Sequence, residues 1–404
     1  MENISERTQK YLGNRGLILF LALLSAFVPL STDLYLPALP IMARFFHVSE
    51  FKMNLTLILF FAFYSLATLV WGPLSDKYGR KPILLIGLTG YMLASILCAV
   101  SGSVNQLILF RILQAVGGGA ASAVATAVVK DVYQGKKQES ILAIVQSMVV
   151  ISPAVAPVIG ALLLKFTSWR GIFFAQAILG LVVVIGSIAF QETIGSENST
   201  AGLITTIGRL GVVLRNPSFT VLLIIFSAVN IASMAFISSS SYIYQDSFEL
   251  SSQKYSYFFT FNAVGMLIGP LLYIRLSGWF KRFHIICACF AIIILSGILI
   301  YTLGWWKPWI FALTLLPAAI TESCVRPPST YLILKQQEND AGSASSLLSS
   351  ATTVMGSVGM LIVSFNQWNP VQLIGKINII VGFLCGGAWL IAVKELFLDK
   401  IQKE

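Results

Sequence analysis

The sequence predicts an all-α membrane protein of twelve transmembrane helices in two six-helix halves, with both termini in the cytoplasm. Three observations predict it. Of 404 residues, 56% are hydrophobic and only 11% charged, and the mean hydropathy is +0.82, far outside the range of soluble globular chains. A helix needs about 20 mostly apolar residues, at about 1.5 Å rise each, to cross a bilayer. Twelve such runs are centred near residues 27, 63, 92, 117, 152, 179, 228, 265, 294, 321, 353 and 382. Third, Lys and Arg are shared unequally between the two sets of connecting loops.

The first run follows a polar, basic segment of 16 residues and continues to Leu36 without a small-residue cleavage site, so it reads as an uncleaved span. Runs two to six follow with short turns. The only long polar interruption is Gln191 to Asn216, which divides the chain into a bundle over 1–190, a linker over 191–216 and a bundle over 217–404. Within the linker, Gly195 to Thr200 is polar, while Leu203 to Leu214 has helical apolar spacing and suits a short helix on the cytoplasmic surface. Runs seven to twelve complete the second half. Backbone polar groups in lipid must pair within the segment, which leaves helices as the spanning form.

Arg44, Lys52, Lys165, Arg170, Lys254, Lys307 and Lys376 fall on the side opposite the termini, and Arg111 and Arg326 fall inside spans. The other 18 of the 27 basic residues lie on the side of the termini, which assigns that side to the cytoplasm. The net charge of +10 is thus a topology signal, and no segment is long enough to fold into a basic nucleic-acid-binding face. Cys98, Cys287, Cys289, Cys324 and Cys385 all fall in spans and read as small packing residues. His47 and His284 lack metal-ligand company, so no metal is expected.

Charged groups inside the membrane are costly, at about 2.5–3.5 kcal/mol each at a helix centre. Asp33 in the first run and Arg111 in the fourth lie at similar depth, and neighbouring helices would let them meet across a cavity. Arg keeps its proton at any accessible pH while Asp can titrate, so such a site can exchange a proton for a substrate. A fixed ion pair pinning two helices is the competing reading. Gln114, Gly118 and Ser122 continue the Arg111 face at helical spacing. Glu322 and Arg326, four apart in the tenth run, can satisfy each other, and Pro327-Pro328 is expected to break that helix. A structural pair and a second coupling or substrate site weigh equally there. Tyr64, Asn230, Tyr257, Phe261 and Asn262 are the aromatic and amide candidates for a substrate pocket, helix or lipid packing being the alternative for each aromatic.

Gly72-Pro73-Leu74-Ser75-Asp76-Lys77-Tyr78-Gly79-Arg80-Lys81-Pro82 packs its charges into the turn between the second and third runs. Arg80 can pair with Asp131 at the end of the fourth run while Asp76 caps a helix N-terminus; Lys77 and Lys81 read as solvated positive-inside anchors. In the fifth run, Pro153 and Pro157 remove backbone donors and force a kink or local unwinding, and Gly160 follows.

The turn resembles the G-x-L-(A/S)-D-(R/K)-x-G-R-(K/R) signature of the major facilitator superfamily. Arg111-Ile112-Leu113-Gln114 resembles its fourth-span R-x-x-Q-G motif, with Ala115 in place of the glycine. Asp33 to Pro40 resembles D-x-Y-L-P-x-x-P; Ala156-Pro157-Val158-Ile159-Gly160 resembles A-P-x-x-G; Trp169 to Phe173 resembles W-R-x-I-F; Ala341 to Leu347 resembles A-G-(S/T)-A-S-(A/S)-L. These are similar to the drug:proton antiporter group, in its bicyclomycin and chloramphenicol (Bcr/CflA) efflux branch, over about residues 17–365.

The resemblance implies two six-helix halves with a midplane site between them, and a monomer in the bacterial inner membrane. It implies drug export driven by the proton motive force with no cofactor. Asp33 and Arg111 would take the proton-coupling and substrate roles, with Gln114 beside them; Glu322, in a pair that departs from the branch, joins the substrate candidates on its own chemistry. Gly72, Asp76, Gly79, Arg80 and Asp131 would form a conformational latch, Asp76 reaching the start of the eleventh span, and Pro153, Pro157 and Gly160 a gating helix. An importer of a polar metabolite such as a sugar or siderophore would use the same Asp and Arg chemistry. An enzyme would need a nucleophile and base or a metal cluster, and the sequence offers neither.

Overall fold

Helix boundaries fall where the sequence supplies caps and special backbone. In the computed structural model, residues 9–194, 203–337, 341–365 and 369–396 are described; the Gly195–Thr200 run, Arg7, Lys400 and Lys403 lie outside them. The first half contains α1 (Gly13–Tyr35), α2 (Leu39–Phe45), α3 (Glu50–Tyr78), α4 (Arg80–Ala99), α5 (Val104–Val132), α6 (Gly135–Phe166) and α7 (Trp169–Ala189). The linker contributes α8 (Leu203–Leu214), matching the helical spacing of that stretch. There follow α9 (Pro217–Ala228), α10 (Asn230–Tyr242), α11 (Ser252–Leu276), α12 (Arg282–Leu303), α13 (Pro308–Lys335), α14 (Ala341–Ser364) and α15 (Pro370–Leu396). Among the described residues, twelve spans are long and apolar enough to cross a membrane; α1 and α2 form one, joined by a 3₁₀ turn at Leu36–Ala38, and α9 and α10 form another.

Local chemistry accounts for several starts. Asn216 accepts from the backbone N–H groups of Ser218 and Phe219 while Pro217 takes the first helical position of α9, where its missing donor costs nothing. Ser103 and Ser251 cap α5 and α11 in the same way. Many large apolar side chains remain exposed on the helices, among them Leu19, Ile86, Leu93, Ile178, Ile185, Phe383 and Ile391, as a lipid-facing surface requires. Trp305, Trp306 and Trp309 are exposed at the α12–α13 turn, where aromatic residues suit a membrane interface.

Proline behaves differently from the sequence expectation. Helix α13 runs unbroken through Pro317, Pro327 and Pro328, where a break was expected; of the two outcomes expected at Pro153 and Pro157, a kink or local unwinding, α6 does not show the unwinding. Neighbouring helices hold such positions in a bundle and outweigh the loss of single donors. Among the described spans, the first is interrupted at Leu36–Ala38, which holds Pro37, and the seventh at Val229, between α9 and α10, where no proline signals it.

The contacts divide the chain into two units, Met1–Val48 with Leu55–Thr206, and Ser49–Asn54 with Ile207–Glu404. In the first, α1 packs on α6 and α5, and α4 on α5 and α7. Gly160 of α6 lies directly against the Leu34 carbonyl of α1, where any side chain would collide. In the second, α12 packs on α15 and α13, α11 on α13, and α10 on α14.

Candidate functional site

In the first unit, Arg111 is fully buried at 0% exposure. Its Nη1 donates to Gln114 Oε1 at 2.5 Å, and its guanidinium lies 4.8 Å from the Tyr35 ring centroid and 4.2 Å from that of Phe60. Gln114 Nε2 donates to Ser95 Oγ at 2.7 Å and to Gln176 Oε1 at 2.8 Å. Gln176 Nε2 donates to the Ser31 carbonyl at 2.8 Å, and the Ser31 hydroxyl bonds to that of Tyr91. One polar network therefore ties α1, α4, α5 and α7 around the charge. Arg111 Nε and Nη2 have no hydrogen-bond partner.

Asp33 is also buried, on α1, and among the described residues its carboxylate is engaged only by a 3.4 Å bond from the Thr32 hydroxyl. Asp33 and Arg111 do not form the fixed ion pair of the competing reading. Arg111 faces Tyr35 instead, which lies on a different side of α1 from Asp33 because successive helical residues turn by about a quarter of a circle. Tyr64 donates to Ser122 Oγ at 2.8 Å, which places it on the face that Arg111, Gln114 and Gly118 begin.

The turn between α3 and α4 forms a second cluster in the same unit. Arg80 Nε donates to Asp131 Oδ2 at 2.9 Å, Nη2 to Oδ1 at 3.4 Å, and Nη1 to Ser75 Oγ at 2.6 Å. The expected Arg80–Asp131 contact is present as a two-armed pair. Asp76, however, lies in the last turn of α3, 2.5 Å from Arg80 Nη1, so its partner in the turn is Arg80 and not a helix N-terminus. Glu192 holds the cap that the sequence reading gave to Asp76, accepting from the N–H groups of Arg80 and Lys81, both at 3.0 Å. Gly79 has φ +99°, and a side chain there would strike the Glu192 carboxylate, so both backbone and space demand glycine. Gly72, by contrast, has open space around it. Lys77 is exposed, but Lys81 is not a free anchor: its Nζ donates to the Ile188 carbonyl at 2.6 Å.

In the second unit, Glu322 and Arg326 share α13 without bonding to each other. Glu322 accepts from the Ser233 hydroxyl of α10, and Arg326 Nη2 donates to Asn230 Oδ1 at 3.4 Å. The expected mutual pair is replaced because α10 offers each a polar partner across the helix interface. Asn230 opens α10 just after the break and also donates to the Thr352 carbonyl at 2.9 Å. Asn262 is buried, whereas Tyr257 is 65% and Phe261 41% exposed, apart from the small cavity that Asn262 and Glu322 line.

Ser31, Tyr35, Phe60, Tyr91, Ser95, Gln176, Glu192 and Ser233 were not singled out by sequence reasoning. Gln176 carried a signal, as an amide in the sixth apolar run, and Glu192 carried another, as the carboxylate closing it.

Twelve spans, buried charges on the first, fourth and tenth, and the charged turn after the second define a membrane transporter. The family model "Major Facilitator Superfamily" matches residues 21–360, and the chain belongs to that family. It is 28% identical to the "Uncharacterized MFS-type transporter YdgK" of Bacillus subtilis (strain 168), over 94% of this chain and 96% of the relative. It is 27% identical to a "Bicyclomycin resistance protein homolog" of Haemophilus influenzae, over 87% of this chain and 89% of the relative, consistent with the Bcr/CflA branch. Among solved structures, an inward-facing, unoccupied bacterial homologue of the human lysosomal transporter Spinster has a TM-score of 0.75 at 14% identity. It covers 96% of this chain and 98% of its own, a likeness of fold. Family and relatives are transporters of small molecules, not enzymes.

Proposed function

We propose that this transporter exports amphipathic small molecules, antibiotics among them, in exchange for protons by alternating access. The observation that carries the reading is Asp33, a membrane-embedded carboxylate with no cationic partner among the described residues. A carboxylate so placed either takes up a proton or holds a cationic ligand. Competition between the two is the elementary step of antiport: the proton displaces the substrate, and the substrate displaces the proton. Arg111 supplies a fixed positive charge in the same bundle, with donors to spare for a carboxylate or a polar substrate group. Tyr64 and Gln114 extend that face, and Asn230, Tyr257, Phe261 and Asn262 are the substrate candidates of the second unit. The bicyclomycin-resistance relative supports export and a drug substrate.

The turn cluster of Asp76, Gly79, Arg80 and Asp131, with Gly72 at its entry, acts in this reading as a latch, and the α6 face around Pro153, Pro157 and Gly160 as a gate. The excess of basic residues on the side of the termini supports cytoplasmic termini in a bacterial inner membrane. The unit of function is a monomer.

The test uses vesicles with an acidic interior carrying the purified chain in inside-out orientation. Addition of a drug from a panel including bicyclomycin and chloramphenicol should release protons outward, and Asp33→Asn should abolish the release while inserting normally. Undiminished uphill transport by Asp33→Asn would remove Asp33 from the coupling step.

A further inference from the structure

The turn after the eighth span is built from cations and rings, where its counterpart in the first unit is built from ion pairs. After the second span, Arg80 is forked to Asp131, and Glu192 accepts from the first N–H groups of α4. After the eighth, residues 252–303, which hold α11, the turn and all of α12, contain no Asp or Glu. Arg275, Lys281 and His284 are exposed there, and Arg282, which opens α12, is half-buried.

Arg282 shares one aromatic ring with a second cation. Its guanidinium lies 4.3 Å from the Tyr331 ring centroid, and Lys335 Nζ lies 5.6 Å from the same centroid. Arg282 Nε also donates to the Tyr273 hydroxyl at 3.4 Å. Tyr273 stands in the last turn of α11, and Tyr331 and Lys335 in the last two turns of α13, so the ends of three helices meet at this ring. An aromatic face attracts each cation but does not cancel the repulsion between the two. An anion seated between them is attracted by both. Beside the cations, Trp279 is 73% and Phe280 55% exposed in the turn, and Leu271 and Ile274 are exposed on the last two turns of α11. Rings exposed at the end of a spanning helix suit the headgroup level of a bilayer, and exposed aliphatic side chains on the helix suit its acyl chains. A free anion would need no such apolar flank.

We propose that this patch binds an anionic phospholipid, its phosphate between Arg282 and Lys335, with Lys281 and Arg275 adding to the attraction and its acyl chains along Leu271 and Ile274. The lipid comes from the leaflet on the side of the termini, where basic residues are in excess. In the second unit it supplies, from the bilayer, the negative charge that Asp131 and Glu192 supply to the turn of the first. The occupant is a component of the membrane and not cargo, so the inference stands apart from the antiport reading.

The test places the purified full chain in nanodiscs of phosphatidylcholine, with a small share of the lipid replaced by brominated phosphatidylglycerol or, as control, brominated phosphatidylcholine. Bromine quenches a nearby indole, and the part of the quenching that is lost in Trp279→Phe reports on this turn. That part should appear at a lower share of phosphatidylglycerol than of phosphatidylcholine. The share needed should rise about fivefold in Lys335→Gln and again in Arg282→Gln, the surface attraction of one basic residue each, and by less in high salt. Lys335 is exposed, so its variant keeps the proposal testable if Arg282→Gln fails to fold. Equal quenching by the two lipids would overturn the proposal, and so would an unchanged preference in Lys335→Gln. A preference lost to the same extent in Lys77→Gln, at the turn of the first unit, would overturn it as bulk charge attraction. Loss of the preference to inorganic phosphate at equal ionic strength would identify a site for the free anion instead. Dimers in which Trp279 is shielded from both lipids would identify a second copy of the chain as the occupant, and would overturn it too.

Discussion

Glu192→Ala and Glu192→Gln together test whether a single carboxylate organises the turn between α3 and α4. Four N–H groups converge on it: Arg80 and Lys81 at 3.0 Å, Thr193 at 2.9 Å and Ile194 at 3.2 Å. Truncation to alanine removes the cap of α4, costing about 0.5–2 kcal/mol. It also removes a negative charge from the positive end of the helix, costing about 0.3–1 kcal/mol. The sum is about 1–3 kcal/mol. At about 2–4 °C per kcal/mol for a unit of this size, the unfolding midpoint should fall by about 2–12 °C. Glutamine keeps an acceptor oxygen and loses only the charge, so its midpoint should fall by about 1–4 °C, and by less in high salt. The measurement is thermal unfolding of the purified chain in detergent, followed by tryptophan fluorescence at low and high ionic strength. An alanine variant that melts with wild type, or a glutamine variant that falls as far as alanine, would refute the capping argument.

Replacing Arg80 by Lys keeps the charge but loses the fork to Asp131 and the bond to Ser75. The expected loss is about 1–3 kcal/mol, read as a lower unfolding midpoint and shared non-additively with Asp131→Asn in a double-mutant cycle. Gly160→Ala drives a methyl into the Leu34 carbonyl and should cost about 1–3 kcal/mol, whereas Gly72→Ala, which meets nothing, should melt like wild type; the two midpoints side by side check this. Gln176→Leu leaves the Ser31 carbonyl and Gln114 Nε2 each short of a partner, and should lower the midpoint by the equivalent of about 1–3 kcal/mol per orphaned group.

The twelve spans were legible because the bilayer imposes one long apolar run per crossing, and the α8 helix because its spacing repeats at the helical period. The Arg80–Asp131 pair was legible because the chain brings two short turns to the same side. What the sequence hid was three-dimensional competition for partners. Arg111 and Asp33 lie at similar depth, yet depth does not fix the direction a side chain leaves its helix. Tyr35 and Gln114 meet the guanidinium where Asp33 was expected. Glu322 and Arg326 are adjacent on one helix face, yet α10 presents Ser233 and Asn230 to them, and those bonds form across the interface. Proline misled for the same reason. A lone helix breaks at Pro327-Pro328, but α13 is packed against α11 and α12 and stays whole.

The surroundings of Arg111 say what kind of residue it is. A guanidinium carries five N–H donors, and here Nη1 has a partner while Nε and Nη2 have none. Two aromatic faces at 4.8 and 4.2 Å return about 2 kcal/mol or more each when desolvated, against a burial penalty of several kcal/mol for the ion. The two terms are of the same order, so stability alone does not call for the charge, which an apolar side chain of similar volume could replace at little cost. The network through Gln114, Gln176 and Ser31 does not neutralise it either; it fixes the direction in which the guanidinium points. A rigidly held charge with donors in reserve suits a partner that arrives and leaves, while a permanent counter-ion would have consumed those donors. Asp33, buried on the adjoining helix without a cationic partner among the described residues, is in the proposed reading the half that takes up and releases the proton. In the proposed antiport reading, keeping the two apart leaves Asp33 a carboxylate for which protons and substrate would compete, as a salt bridge would not.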